Sequence, residues 1–174
     1  MSENMKSKTA KETYAITSEF VLPNDTNALG NLAGGRLLHW MDIVSAISAS
    51  RLCRRVVVTA SVNNVSFREP IKLGSIVTLE AKVSRSFNTS MEVFIDVWVE
   101  DRVTSEKTKH NEAIYTFVAV DQNGAPLPVP ELVPESDEEK KRFEGALRRR
   151  QLSLILAGKM KASEATELKA LFVK

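Results

Sequence analysis

The sequence predicts an α+β domain in which a five-stranded, mostly antiparallel sheet wraps around one long helix. Two observations carry this prediction. Residues 35–52 repeat apolar side chains every three or four positions, which is the period of a helix with one apolar face. Five other stretches are rich in β-branched and aromatic residues and are separated by turn formers. One helix beside strands of this length is typical of an α+β arrangement.

The first elements follow in order from the N-terminus. Residues 1–13 are polar and rich in lysine, and we expect them to form a flexible arm. Residues 14–22 alternate enough to make a strand, which Pro23 ends, and the next dozen residues are turn formers. The apolar stripe of the helix then consists of Leu37, Leu38, Met41, Val44, Ile47 and Leu52. Beside Asp42, its other face carries small residues that let another backbone come close: Ser45, Ala46 and Ala49.

Four further strands are predicted after the helix, over residues 56–67, 75–87, 90–103 and 108–120. In the third of these, acidic side chains stand at even positions, as they do in a half-exposed strand. Turn signals separate the four strands: Pro70 with Gly74, Asn88-Thr89, and the polar stretch 106–109.

The C-terminal part has a different character. Prolines at 126, 128, 130 and 134 make an extended connector that cannot be a central strand. Ser136-Asp137-Glu138-Glu139 is a capping box, which predicts a helix from there to about Ala157, stopped by Gly158, with a short helix after Ser163. We therefore divide the chain into the arm 1–13, a main domain 14–130 and a C-terminal helical extension 131–174.

Composition excludes several classes of function. The formal charge of +2, from 24 basic and 22 acidic residues, leaves no strongly basic surface, so a nucleic-acid polymer is not an expected partner. No stretch approaches the ~20 apolar residues of a membrane span, and none resembles a signal peptide. Cys53 is the only cysteine, which excludes an internal disulfide and favours a reducing compartment. We expect a cytoplasmic protein without a membrane partner.

Metal and serine-triad chemistry are also disfavoured. His39, His110 and Cys53 lie in different segments and do not make a zinc-binding set, so no metal site is expected. His39, Asp42 and Ser45 lie on one helix, which holds their side chains at offsets unsuited to a nucleophile and its base. A hydrogen bond between His39 and Asp42 would more simply be structural.

The strongest chemical signal is the loop 24–33 and the helix start that follows it. Gly34 and Gly35 allow backbone amides to approach a bound oxygen where the helix dipole is positive, although a tight turn would use them too. Asp42 is costly to bury in a helix wrapped by a sheet unless it is paired or functional, although solvation at an interface would also explain it. Together these groups could polarise a carbonyl and activate water.

These motifs resemble those of the hotdog-fold acyl-CoA thioesterases, in the hexameric branch that includes bacterial acyl-CoA hydrolases and brain acyl-CoA hydrolase. The resemblance covers residues 20–130. It rests on Asp25-Thr26-Asn27, Gly30-Asn31, Gly34-Gly35, Trp40-Met41-Asp42, Val58-Thr59-Ala60-Ser61-Val62, Phe67, Pro70, Gly74 and Ser90-Met91-Glu92.

The resemblance implies a hotdog fold and the hydrolysis of acyl-CoA to a fatty acid and coenzyme A at a dimer interface. Asn27 and Asp42 match the catalytic pair of the family, which is drawn from opposite protomers. Asp42 would act on water as a general base or attack the thioester as a nucleophile, while Asn27 orients the reactants. Gly35 would supply the amide that polarises the thioester oxygen. The family further implies a hexamer built as a trimer of dimers, and no cofactor, since coenzyme A belongs to the substrate.

The resemblance also implies which residues bind the substrate. Asn31 and Gly34 would lie beside the catalytic pair, and pantetheine would follow Val58, Thr59, Ala60 and Ser61 and the strand start Asn88-Thr89-Ser90. Arg85 or the tail arginines 148–150 would meet the phosphates. Two alternatives stay open. Another hotdog enzyme, an enoyl-CoA hydratase, would need a paired Asp and His, and an acyl-CoA-binding sensor would need no catalytic pair. The acyl-chain length is not specified by these residues.

Overall fold

The computed structural model describes residues 5–63, 65–67 and 69–172. The chain divides into two compact units, Met1–Val133 and Pro134–Lys174. This division lies three residues beyond the boundary at 130 that the sequence predicts. The reason is a two-residue strand, Leu132–Val133, which pairs in parallel with Lys8–Thr9 and so belongs to the first unit.

The first unit is built on a five-stranded sheet in which every neighbouring pair is antiparallel. In chain order the strands are β1 (Lys8–Thr9), β2 (Ala15–Phe20), β3 (Val56–Asn63), β4 (Ile76–Ser86), β5 (Ser90–Glu100), β6 (Lys107–Val120) and β7 (Leu132–Val133). The five long strands are ordered β2-β4-β5-β6-β3, so β2 and β3 form the two edges. The prediction of a five-stranded antiparallel sheet is confirmed, and only the strand ends differ.

The long helix α1 spans Gly34–Cys53 and packs against the sheet. Its predicted apolar stripe is wrong at Ile47, which is 43% exposed, whereas Ser45 and Ala49 on the supposed outer face are buried. Small side chains let the sheet approach closely here. The Ser45 hydroxyl can be buried because it donates to the Met41 carbonyl at 2.6 Å.

The expected flexible arm is wrong for residues 8–13, which are part of the folded unit. After β1, residues Ala10–Thr13 form a 3-10 helix in which Ala10 and Thr13 are buried. The Thr13 hydroxyl accepts the Val83 amide of β4 at 3.0 Å and donates to the Ala10 carbonyl at 2.7 Å. A polar composition therefore does not indicate a flexible arm here, because the Thr13 hydroxyl fixes this segment to β4. Residues 1–4 lie outside the described residues.

The second unit contains the helix α2, Asp137–Leu156, and a short helix α3, Thr166–Lys169. The capping box is formed as the sequence predicts, with the Ser136 hydroxyl accepting the Glu139 amide at 3.1 Å. The side-chain carbonyl of Gln151 accepts the Leu168 amide at 2.9 Å and so joins α2 to the segment after it. The second compact unit of the chain is thus helical.

Candidate functional site

The loop before α1 holds Asn27 in a fixed orientation. The Asn27 amide donates to the Asn31 carbonyl at 2.8 Å, and Gly30 closes the turn at a φ of +74° by donating to the Asn27 carbonyl. The side-chain oxygen of Asn27 accepts the amides of Leu29 at 2.9 Å and Asn31 at 3.3 Å. Because that oxygen is occupied, the exposed side chain offers its NH2 group, for which the described residues provide no partner. Asn27 is therefore presented as a hydrogen-bond donor.

The first turn of α1 offers a second donor. The Arg36 and Leu37 amides both donate to the Ala33 carbonyl, whereas the Gly35 amide has no acceptor among the described residues. A Cβ on Gly34 would lie 3.3 Å from the Phe67 ring, so Gly34 is needed for close packing. A Cβ on Gly35 would meet no atom within 4 Å. The Gly35 amide therefore lies without an acceptor among the described residues at the positive end of the helix dipole, next to open space.

An open cavity of about 680 Å³ lies beside this helix start. Gly35, His39 and Asp42 line it from α1, and Phe67 and Tyr115 line it from the surrounding segments. Such a volume is typical of a small-molecule site. Two residues that the sequence predicts for the chemistry, Gly35 and Asp42, thus share one cavity, whereas Asn27 does not line it.

Asp42 is held by a neighbour that the sequence did not identify as its partner. The Thr59 hydroxyl of β3 donates to Asp42 Oδ1 at 2.6 Å. The register of β3 against β6 shifts between Thr59 and Ser61, which is a β-bulge at Ala60. Bulges next to functional sites commonly change the direction of a side chain. The family resemblance implies only a contact between Thr59 and pantetheine, and no periodic pattern in the sequence indicates its hydrogen bond to Asp42.

The pKa of Tyr115 is affected by the charge of Asp42. Its hydroxyl donates to the Leu38 carbonyl at 3.0 Å, one helical turn before Asp42. Burial, and then the negative charge of Asp42, raise the pKa of Tyr115 to about 12. The cavity therefore combines a carboxylate, a neutral phenol and a helix N-terminus. A carboxylate in this setting can accept a proton from water or attack an electrophilic carbon.

The separation of Gly35 and Asp42 limits what one chain can do. They are seven residues apart, which is two turns and about 10 Å along the helix axis. A nucleophile must stand about 3–3.5 Å from the carbon it attacks. A carbonyl group held by the Gly35 amide would therefore lie about two helical turns from the backbone of Asp42 in the same chain.

None of the ten other predicted binding residues lines this cavity, although six of them lie on α1, on β3 or in the loop before α1. Gly34 lies beside the cavity at the start of α1, and Asn31 forms an isolated bridge with Lys72. Val58, Thr59, Ala60 and Ser61 lie on β3, whose other edge pairs with no strand among the described residues.

The remaining four predicted residues do not line this cavity. The Asn88 carbonyl accepts the Val129 amide and the Thr89 carbonyl accepts the Ala119 amide, while Ser90 is buried. The guanidinium of Arg85 lies 5.8 Å from the centre of the Phe87 ring. Their backbone acceptors are thus engaged within the fold, and the structure does not bring these residues to Asp42.

No group of three or more His, Cys, Asp or Glu side chains in the described part of the chain could hold a metal ion. His39 lines the cavity three residues before Asp42, yet the described contacts include no hydrogen bond between them. Burial raises the pKa of the Cys53 thiol and outweighs the opposite effect of Arg55 and Lys8. In residues 5–63, 65–67 and 69–172, no helix is both long and apolar enough to cross a membrane.

Comparison with known proteins identifies the family of the chain independently of the geometry of the cavity. Residues 29–106 match the family model described as the thioesterase superfamily. The chain is 42% identical over 137 residues to the uncharacterized acyl-CoA thioester hydrolase YkhA of Bacillus subtilis, with 79% of this chain and 80% of that protein covered. Its fold is similar to the crystal structure of an apo-hexameric acyl-CoA thioesterase, at a TM-score of 0.84 and 36% identity, over 87% of this chain and 97% of that one.

A further similar structure is the acyl-CoA hydrolase of Staphylococcus aureus in complex with butyryl coenzyme A, coenzyme A and coenzyme A disulfide. It has a TM-score of 0.80 and 33% identity, over 88% of this chain and 95% of that one. Three variants of that hydrolase, also solved, replace an asparagine, an aspartate and a threonine with alanine. These positions are 15 and 17 residues apart, as Asn27, Asp42 and Thr59 are here (27 to 42, then 42 to 59).

Proposed function

The chain belongs to the thioesterase superfamily, and we propose that it hydrolyses acyl-CoA thioesters to a free carboxylic acid and coenzyme A. The observation that carries this proposal is the hydrogen bond from Thr59 to Asp42, whose side chain shares one cavity with Gly35. Asparagine, aspartate and threonine stand at the spacing of the three residues replaced in the Staphylococcus aureus hydrolase, which binds butyryl coenzyme A.

In the proposed reaction, Asp42 takes a proton from water as the water oxygen attacks the thioester carbon. The carbon–sulfur bond then breaks, the electron pair leaves with sulfur, and the proton passes to the coenzyme A thiolate. Alternatively the Asp42 carboxylate attacks the same carbon and expels coenzyme A as the thiolate; water then opens the resulting anhydride to the free acid and the Asp42 carboxylate, and its proton passes to the thiolate. Thr59 fixes the carboxylate in either case. The reaction needs no cofactor or metal, so we expect the activity to survive treatment with a chelator.

We propose that two protomers build each active site. Since Gly35 and Asp42 of one chain are about 10 Å apart along α1, a second copy would bring its Gly35 amide and Asn27 NH2 group to the Asp42 of the first. Both donors would then point at the thioester oxygen, while Asp42 acts from the other side. The open edge of β3 and the exposed Ile43 and Ile47 of α1 support a second copy at this surface.

For the assembly we propose a hexamer of three dimers, supported by the hexameric thioesterase to which the chain is similar. Pantetheine would lie along the open edge of β3 between Val58 and Ser61, next to Asn31 and Gly34. We propose Arg85 and Asn88–Ser90 as an outer contact for the phosphates, supplied by a neighbouring protomer, because they lie on β4, on β5 and in the turn between them and not on α1 or β3. The lone Cys53 supports a cytoplasmic location.

The decisive experiment measures free thiol released from acyl-CoA substrates of increasing chain length. We expect release by the wild type and its loss in Asp42→Asn. The same preparation is tested for water addition to an enoyl-CoA and for acyl-CoA binding. Hydration without thiol release would replace the proposal with a hydratase, and tight binding without either reaction would replace it with a sensor.

A further inference from the structure

Asp25 is a buried carboxylate that the proposed reaction does not use. Its side chain is 6% exposed and accepts two hydrogen bonds, from Arg36 Nε to Oδ1 at 2.6 Å and from the Leu22 amide to Oδ2 at 2.9 Å. The hydrogen bond from Arg36 holds the pKa of Asp25 below its ordinary value. A carboxylate buried this deeply is costly unless such partners satisfy it, so the pair is a fixed feature of the fold.

The two members of the pair stand next to the two proposed donors. Asp25 is two residues before Asn27, and Arg36 directly follows Gly35. The Asp25 carbonyl also accepts the Ala33 amide at 2.8 Å, which ties the start of the loop to the residue that precedes α1. Side chain and backbone together thus close the loop into a ring between Asp25 and Arg36.

The other end of the loop is held separately. The Leu32 amide donates to the Ile71 carbonyl at 2.7 Å, and the Leu73 amide donates to the Gly30 carbonyl at 3.2 Å. These two bonds do not involve Asp25 or Arg36. Removing the ion pair is therefore expected to leave the loop folded and Asn27 bound to Asn31, while Arg36 no longer fixes the loop against the first turn of α1.

We propose that Asp25 and Arg36 are positioning residues, which set the Asn27 NH2 group and the Gly35 amide at the separation needed to hold one thioester oxygen. This inference rests on the proposed thioesterase function. Neither residue touches the reacting atoms. Their effect is on geometry, where a displacement of about 1 Å can cost about 10²-fold in rate.

The test compares kcat and KM of purified Arg36→Gln, Arg36→Lys and Asp25→Asn with those of the wild type, using thiol release. Because Arg36→Gln leaves the buried Asp25 carboxylate without its charged partner, the double variant Asp25→Asn/Arg36→Gln, which removes both charges, carries the test if a single variant fails to fold. We expect kcat to fall about 10–100-fold in Arg36→Gln with KM changed less than about 3-fold. Arg36→Lys, which keeps the charge, should recover part of kcat.

The matched control is Asp96→Asn, which removes an ion pair of the same kind between Asp96 and Lys109, at 2.8 Å on the sheet. It should keep the wild-type kcat. The double variant Asp25→Asn/Arg36→Gln should be no slower than the slower single variant, because both act through one contact.

Three results would overturn the proposal: an unchanged kcat in folded Arg36→Gln, a kcat lowered only in proportion to the fraction unfolded, or an equal loss in the Asp96→Asn control. A wild type without thiol release would instead refute the proposed function itself.

Discussion

Replacing Gly35 with alanine is expected to stabilise the protein and at the same time to slow the reaction. Alanine is the better helix former, because glycine loses more backbone freedom on folding. A Cβ at position 35 meets no atom within 4 Å, so no steric cost opposes this gain. The same open space is where the proposed function puts the thioester oxygen, and a methyl group would keep that oxygen away from the Gly35 amide.

Both effects can be given a size. A compatible Gly→Ala change contributes at most about 1 kcal/mol, which in a protein of this length raises Tm by about 2–4 °C. Loss of one oxyanion donor typically costs about 10²–10³-fold in kcat. Thermal unfolding followed by circular dichroism measures the first effect, and thiol release from acyl-CoA under saturating substrate measures the second.

Gly34→Ala is the matched control, since its Cβ would lie 3.3 Å from the Phe67 ring and force a small shift. We expect its Tm to stay near that of the wild type, because the gain in helix propensity is offset by this contact. If Gly35→Ala unfolds at a higher temperature yet keeps the wild-type kcat, the Gly35 amide does not hold the thioester oxygen. A lowered Tm would contradict the open space described at Gly35.

Three other predictions concern the same cavity. Asn27→Ala and Asp42→Asn should each lose most of kcat, and exchange of protomers between the two inactive proteins should restore some activity; no recovery after proven exchange would argue against a shared site. Thr59→Val should lower kcat about 10–100-fold, because a hydrogen bond to a charged group is worth about 1.5–3 kcal/mol. Thr59→Ser keeps the hydroxyl, so its kcat should stay near that of the wild type. Equal kinetics of the two variants would contradict a role for the hydroxyl. The pKa of Tyr115 is raised from 10 to about 12, so its neutral form stabilises the fold fully below about pH 10, and this contribution is lost as the pH rises to about 12. Wild-type Tm should therefore fall more steeply over that range than the Tm of Tyr115→Phe. Parallel pH profiles of the two proteins would disprove the raised pKa of Tyr115.

The sequence predicted the main elements of the fold because they carry strong periodic signals. Strand β5 and helix α1 begin within a residue of their predicted positions, since alternation and the helical stripe are read from neighbouring residues. The β1–β7 pair could not be predicted in this way, because two-residue strands have no measurable period. The fold of residues 8–13 is likewise not predictable, because it depends on this pair and on the hydrogen bond between Thr13 and Val83.

The candidate site was predictable only in part. Asp42 and the paired glycines stand out by residue type and position, which local reasoning can detect. The bond between Thr59 and Asp42 joins a helix to an edge strand and depends on the register shift next to Thr59, so it is a property of the tertiary structure. The contact between Phe67 and Gly34 and the pair formed by Asp25 and Arg36 likewise require the folded chain.

The parallel pair of β1 and β7 also has a consequence for the order in which the first unit folds. It joins Lys8 to Leu132, which closes a loop of 124 residues (132 minus 8), whereas β4, β5 and β6 are connected in sequence by short turns. Loop closure becomes more costly with length, so the hairpins are expected to form early and the β1–β7 pair last. A nascent chain can therefore fix Thr13 and β2 against β4 early, whereas Lys8 and Thr9 cannot pair until residue 133 has been synthesised. Since this ladder has only two residue pairs, we expect it to be the first to open in the native protein and the first to exchange its amide hydrogens.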